Sequence, residues 1–227
     1  MQLKLDDQYC AGLWKKHLIT QIYWTTGYDG QNLLPRPEPY RAPSWSWAGL
    51  DVPVSLSLSD EDDNAMELVI NILDCDVDSS SGDDTCIITS GRLRLSGWLS
   101  TIRVCPTAQN EWSVFFNGVW GGKSEGFMVE IDCQLPSDKL HCLPLFVNTH
   151  SPLLREENSQ TLYWNVACLI LCSTGDAKGQ FRRFGTLHVF SGAFGIEDWR
   201  VFKRSQKEAW FEYESTDDKQ NYTMSII

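Results

Sequence analysis

The chain predicts a mainly β fold, an antiparallel barrel or sandwich with an N-terminal helix and a short C-terminal helix. Three observations carry that expectation. Leu93, Leu95, Gly97 and Leu99 alternate with Arg92, Arg94, Ser96 and Trp98, the period of a half-buried strand. Further strand-like runs at 112–116, 127–131, 143–147, 162–172, 185–190 and 199–202 are mostly separated by Gly, Pro, Asn and Asp. That spacing suits a sandwich or barrel better than a βαβ sheet. Finally, 227 residues of which 42% are hydrophobic fit a single large β-rich domain over 1–227.

Taken in order, Asp6 and Asp7 offer caps for a first helix. Cys10, Leu13, Trp14, Leu18 and Ile22 recur mostly every three or four residues, so the helix should run to about Trp24. Gly27 and Gly30 then mark a loop that feeds the broken run Pro35-Arg36-Pro37-Glu38-Pro39. Proline fixes φ and disfavours helix in the residue before it, so this stretch should be stiff and extended.

Behind it stands Tyr40-Arg41-Ala42-Pro43-Ser44-Trp45-Ser46-Trp47-Ala48. In an extended chain Trp45 and Trp47 would share a face. That face is either core, where tryptophan is usually found, or a recognition surface, since Trp, Tyr and Arg together make binding hot spots. Either way the segment is an anchor.

Beyond the anchor, residues 55–64 are largely polar and hold Asp60-Glu61-Asp62-Asp63, a solvated acidic loop without the spacing or glycine of an EF-hand. Residues 68–73 are apolar and partly β-branched, as a strand requires, and 79–84 are turn-rich. A closing helix is expected over 205–214.

Charge and targeting signals narrow the partners. Against 19 basic residues stand 30 acidic ones, a formal charge of −11 that repels phosphate backbones and anionic lipid heads. No nucleic-acid or membrane partner is expected. The first residues lack the apolar core of a signal peptide, so a cytoplasmic, reducing location is expected and the eight cysteines read as mostly buried thiols.

Motifs of catalysis are sparse. Cys168 and Cys172, with His141 beside Cys142, raise the question of zinc, but they do not form two close-ligand knuckles and lie on apolar runs. Gly122-Lys123-Ser124 ends like a phosphate loop, yet Asn117 replaces the earlier glycine. Neither a nucleophile elbow nor a dinucleotide fingerprint occurs. No metal or cofactor is expected.

His188 lies between Leu187 and Val189 with the opposite alternation, facing either a barrel interior or, as is usual for the polar positions of a half-buried strand, solvent. With Asp51 and Glu197 it makes up the candidate acid–base set. Tyr40, Arg41, Trp45, Trp47 and Trp14 are the candidate ligand-binding residues.

The run Tyr9-Cys10-Ala11-Gly12-Leu13-Trp14, followed by the Tyr40–Ala48 segment, resembles the region behind the signature domain of fungal heterokaryon-incompatibility proteins. Ser90-Gly91-Arg92-Leu93-Arg94-Leu95-Ser96-Gly97, Cys168-Leu169-Ile170-Leu171 and Arg182-Arg183-Phe184-Gly185 are similar to that region too. Gly49 and Val52 differ from the serine and glycine expected around Leu50-Asp51. The family's signature domain, tied to cell-death signalling, would precede residue 1. The resemblance implies a fungal source and a β-rich module, and carries over no catalytic residue.

Two functions are consistent with these features. One is a binding or regulatory module that engages a small apolar molecule or a protein partner. The other is a cofactor-independent cyclase or isomerase that folds a small apolar substrate in an aromatic-lined β pocket, working by positioning and a few hydrogen bonds. A closed pocket of ~300 Å³ or more with convergent polar groups would favour the enzyme, and an exposed apolar patch the module. The sequence does not set the oligomeric state.

Overall fold

A twelve-stranded sheet carries the fold. The computed structural model describes residues 7–26, 33–56, 66–80, 87–108, 111–116, 119–121, 126–149, 164–192 and 198–227. Gly27, Gly30, the acidic run at 60–63, Gly122-Lys123-Ser124, His150 and Glu197 lie outside them.

The chain opens with a hairpin, β1 (Tyr9–Cys10) on β2 (Leu13–Trp14), then a 3-10 turn (Lys15–His17), the one-turn α1 (Leu18–Gln21) and β3 (Trp24–Thr25). β3 pairs with β4 (Ser55–Leu56). The large sheet begins with β5 (Met66–Leu68), β6 (Ile70–Ser79), β7 (Ile88–Gly97) and β8 (Ser100–Pro106). β9 (Trp112–Phe116), β10 (Val119–Gly121), β11 (Phe127–Ile131) and β12 (Lys139–Asn148) follow. β13 (Asn165–Ser173), β14 (Gln180–Phe190), the one-turn α2 (Val201–Arg204), β15 (Ser215–Thr216) and β16 (Tyr222–Ile226) complete it.

Its spatial order is β10-β9-β8-β12-β13-β14-β16-β7-β6, with β11 on β14, β15 on β16 and β5 on β12. All these pairings are antiparallel except β14 with β16. The path has two ends, so the sheet is not the closed barrel that was one of the expected forms.

Both faces of the middle strands are buried, which explains the unbroken apolar run in β13. Val166, Cys168 and Ile170 enter one core with Leu187 and Phe202. Ala167, Leu169 and Leu171 enter the other, with Leu93, Leu95, Phe181 and Met224. The alternation around Leu93 is found as expected, with Leu93, Leu95 and Gly97 buried and the arginines between them not.

Three expected elements differ. The N-terminal helix to Trp24 is instead the hairpin and a single helical turn. Ala11 and Gly12 have φ of 48° and 97°, the paired left-handed conformations of a tight two-residue hairpin loop, which no helix tolerates. Cys10, Leu13, Leu18 and Ile22 are still all buried, so the apolar spacing predicted burial correctly and its helical cause wrongly.

The closing helix over 205–214 is also absent. Lys207 Nζ donates to Leu99 O at 2.6 Å and the Arg103 guanidinium lies 4.6 Å from the Trp210 ring, contacts that fasten an irregular segment to the sheet. Residues 199–202 are no strand: 199 and 200 form a turn and 201 and 202 begin α2.

Candidate functional site

Residues 33–52 form a strap laid across one end of the sheet. Each residue of Ser44-Trp45-Ser46-Trp47 fixes it to a different partner. Ser44 Oγ accepts from Arg183 N at 2.9 Å and donates to Ile227 O, while Ser44 N donates to the same carbonyl at 3.0 Å. Trp45 is wholly buried, and its carbonyl accepts from Trp24 Nε1 at 3.0 Å. Ser46 Oγ donates to Ala11 O at 2.5 Å and also caps the 3-10 turn Trp47–Gly49. Trp47 Nε1 donates to Gly12 O at 3.1 Å.

The two tryptophans do not share a face. Trp45 is 0% exposed and Trp47 39%. Ser46 N bonds back to Pro43 O, and the 3-10 turn starting at Trp47 rotates the second ring away, so the extended geometry expected here does not hold. The proline run before it includes a cis Glu38–Pro39 bond. At the other edge of the strap, Pro43 sits on Gly91 of β7, where a Cβ would lie 2.2 Å from Pro43 Cγ. Only glycine admits that approach.

Beneath the strap lies a buried charge cluster. Arg183 is 0% exposed, and its guanidinium carbon is 3.2 Å from the centroid of the Trp24 ring. Its Nη2 donates to Trp24 O at 2.5 Å and to Asp132 Oδ1 at 3.3 Å. Arg36 Nη2 donates to Arg183 O at 2.5 Å. Burial pushes the Asp132 carboxyl up against the pull of Arg183 and Arg36. Burial also lowers Arg183 to about 10. Arg183 Nε and Nη1, Arg36 Nε and Asp132 Oδ2 are buried without a hydrogen-bond partner among the described residues. Such groups are rare and costly inside proteins.

Two clefts flank the strap and share Arg36, Pro37 and Glu38. The first, about 460 Å³, has apolar walls from Leu33, Leu34, Pro35, Leu50 and Val52, and reaches Asp132. The second, about 660 Å³, has mixed polar and apolar walls and runs between Tyr40 of the strap, Arg182 of β14, and Asp76, Asp78 and Arg92 of the β6–β7 hairpin. Both open to solvent.

Of the candidate residues, Tyr40, Arg41 and Asp51 line the clefts, while Trp14, Trp45, Trp47 and His188 line neither. Tyr40 and Arg41 line the second cleft. Partial burial pushes the Tyr40 phenol up, against the pull of Arg182. Asp51 lines the first cleft and accepts from Arg41 Nη1 at 2.7 Å, which holds its carboxyl below the usual range. Trp14 packs edge-on against Tyr9 at 5.4 Å. His188 lines neither cleft. Its ring stacks on Phe190 at 4.6 Å and meets Tyr23 edge-on at 6.2 Å, and burial lowers its pKa to about 4. It is partly exposed, with its ring packed against Phe190 and Tyr23.

Arg36, Asp132 and Arg183 were not among the sequence candidates, although the signal is legible in hindsight of strand geometry. Arg182 and Arg183 are adjacent in a strand between Phe181 and Phe184, so one of them has to turn inward. Asp132 interrupts the apolar Ile131 and Cys133 in the same way.

A second polar cluster has the makings of a serine–lysine pair: Ser100 Oγ is 2.7 Å from Ser205 Oγ, and Lys207 Nζ is 2.9 Å from the latter. Burial lowers Lys207 to about 8. Both hydroxyls are buried and directed at Phe202 O, and neither cleft reaches them, so the cluster pins the 202–208 segment to β8. Among the described residues no three His, Cys, Asp or Glu side chains gather as a metal site, and no helix is long and apolar enough to cross a membrane. No family model, curated protein or solved structure matches the chain.

Proposed function

We propose that this chain is a cytoplasmic binding or regulatory module of the heterokaryon-incompatibility type, with the strap as its recognition element. The observation that carries this reading is the division of labour within the strap. Ser44, Trp45 and Ser46 hold it down, whereas Tyr40 and Trp47, 46% and 39% exposed, face outward, Tyr40 at the second cleft and Trp47 over Gly12. A rigidly held aromatic and arginine surface binds with little entropy left to lose. Native mass spectrometry of the protein purified from a fungal host tests the reading. A partner or small molecule retained at fixed stoichiometry, and released by the surface substitutions Tyr40→Ala and Arg182→Ala without loss of thermal stability, is the expected result. A protein that is always empty, or whose partner ignores both substitutions, would sink it.

One observation favours a cofactor-independent cyclase or isomerase instead. The first cleft exceeds the ~300 Å³ expected of a ligand site and pairs apolar walls with the exposed carboxylate of Asp51. Such a group can exchange a proton with a substrate in an isomerisation. Incubation with fungal extract should then yield an isomer of unchanged mass, lost in Asp51→Asn. A retained but chemically unaltered small molecule argues against it.

A further inference from the structure

We propose that Cys10 and Cys75 are the two halves of a reversible disulfide that joins the N-terminal hairpin to β6. This goes beyond the binding-module reading and stands whatever the strap binds. Cys10 ends β1 and Cys75 lies in the middle of β6, two elements that pack against each other. Both side chains are buried in the same core, and their thiols are hydrogen-bonded to one another, so the two sulfurs are already neighbours in the reduced protein. Cys10 Sγ also donates to Gln8 O at 3.9 Å.

A second pair, Cys142 and Cys168, is also hydrogen-bonded, but its position in the fold forbids the bridge. β12 and β13 place Cys142 opposite Ile170 and Cys168 opposite Pro144, so these two cysteines are diagonal neighbours in the middle of the sheet. Diagonal positions stand ~7–8 Å apart, beyond the usual span of a disulfide, and the ladder holds them there. No ladder joins β1 to β6. β1 is paired with β2, and β6 ends the sheet with β7 as its neighbour. The hairpin can therefore shift to close the bond, and the pair lies where local opening costs least.

The oxidant is a small disulfide such as oxidised glutathione. During an opening, one cysteine loses its proton and its thiolate attacks a glutathione sulfur, expelling one glutathione thiolate. The second cysteine thiolate then attacks the protein sulfur of that mixed disulfide and expels the other. Two protein thiols give up two protons and two electrons, and one glutathione disulfide becomes two glutathione thiols. While the core is closed, the hydrogen bond from Cys10 and burial hold the Cys75 thiol protonated, so exchange waits on the opening. The bond reaches the strap directly. Ala11 and Gly12, which follow Cys10, accept from Ser46 and Trp47, and Asp76, which follows Cys75, lines the second cleft across from Tyr40. Oxidation thus ties the hairpin that holds the strap to the opposite wall of that cleft.

The test is incubation of the folded full chain with oxidised glutathione at mildly alkaline pH, followed by alkylation of the remaining thiols in denaturant and peptide mapping by mass spectrometry. The expected product is a linked Cys10–Cys75 peptide from a chain lighter by two hydrogens, returned to thiols by reduced glutathione. Oxidation should raise the melting temperature by about 5 °C or more, because the bond closes a long loop in the unfolded chain. Cys75→Ser, close to the thiol in size, should lose both the link and the rise. If that variant does not fold, the map of the unaltered chain decides by itself. Cys10 and Cys75 recovered as alkylated thiols, glutathione left on either, a Cys142–Cys168 link in their place, or a Cys10–Cys75 link formed only in urea would overturn the site. A link that leaves the melting temperature unchanged or lower would overturn its role in fastening the strap.

Discussion

The guanidinium of Arg183 lies flat over the indole of Trp24, 3.2 Å from carbon to ring centroid, and the same arginine donates to the Trp24 carbonyl. One residue thus satisfies the face and the backbone of the other, and Asp132 supplies the opposite charge. Removing the carboxylate alone leaves a buried cation, while removing both charges does not. Arg183→Met and Asp132→Leu should each lower stability by about 3–5 kcal/mol in urea denaturation, and the double substitution by clearly less than their sum. Additive losses would show that the pair is not coupled.

The two strap tryptophans should separate by magnitude. Trp45→Ala opens a cavity in a closed core and should cost about 3–5 kcal/mol. Trp47→Ala loses one hydrogen bond and a partly solvated contact on Gly12, about 1–2 kcal/mol. Denaturation midpoints check the order, and equal losses would contradict the different surroundings of the two rings.

Gly91 is the position where the sheet admits the strap. Gly91→Val should cost about 1–3 kcal/mol by driving Pro43 off β7. Tryptophan fluorescence should also shift to longer wavelength as the strap lifts and Trp45 meets water. A stable variant with unchanged emission would mean that Pro43 yields without moving the strap.

Acid should destabilise the fold through two histidines. Burial lowers His141 and His188 to about 4, well below the ordinary ~6.5, so the unfolded chain takes up protons before the folded one does. The stability they contribute is full above ~6.5 and lost as pH falls towards 4, up to roughly 3 kcal/mol each. The melting temperature should drop between pH 7 and pH 4.5, and His188→Phe, which keeps the stack on Phe190, should flatten that slope. An unchanged slope would show that His188 titrates normally in the folded state.

What could be learned from residues alone depended on whether local pattern and tertiary outcome agreed. β7 and β13 were legible because alternation and unbroken apolarity each have one structural reading in a strand. The stretch from Cys10 to Ile22 was not, because a tight hairpin followed by one helical turn buries the same positions as an amphipathic helix. Position in sequence likewise put Trp45 and Trp47 on one face, and the bond from Ser46 N to Pro43 O and the 3-10 turn from Trp47 separate them. β8 and β16 went unexpected because Ser100, Thr101, Thr223 and Ser225 are polar residues that the middle of the sheet buries. Of the site, the strap was visible through its aromatic residues, while Asp132 and Arg183 come together only through the pairing of β11 with β14.

The bond between Ser44 and Ile227 closes a loop of 183 residues. Loops of that length are among the last to close, since the entropy of joining their ends is recovered only after the intervening sheet exists. The strap's bonds to Ala11, Gly12 and Trp24 span only 21 to 35 residues, so its near end can dock long before the Ser44–Ile227 closure completes it.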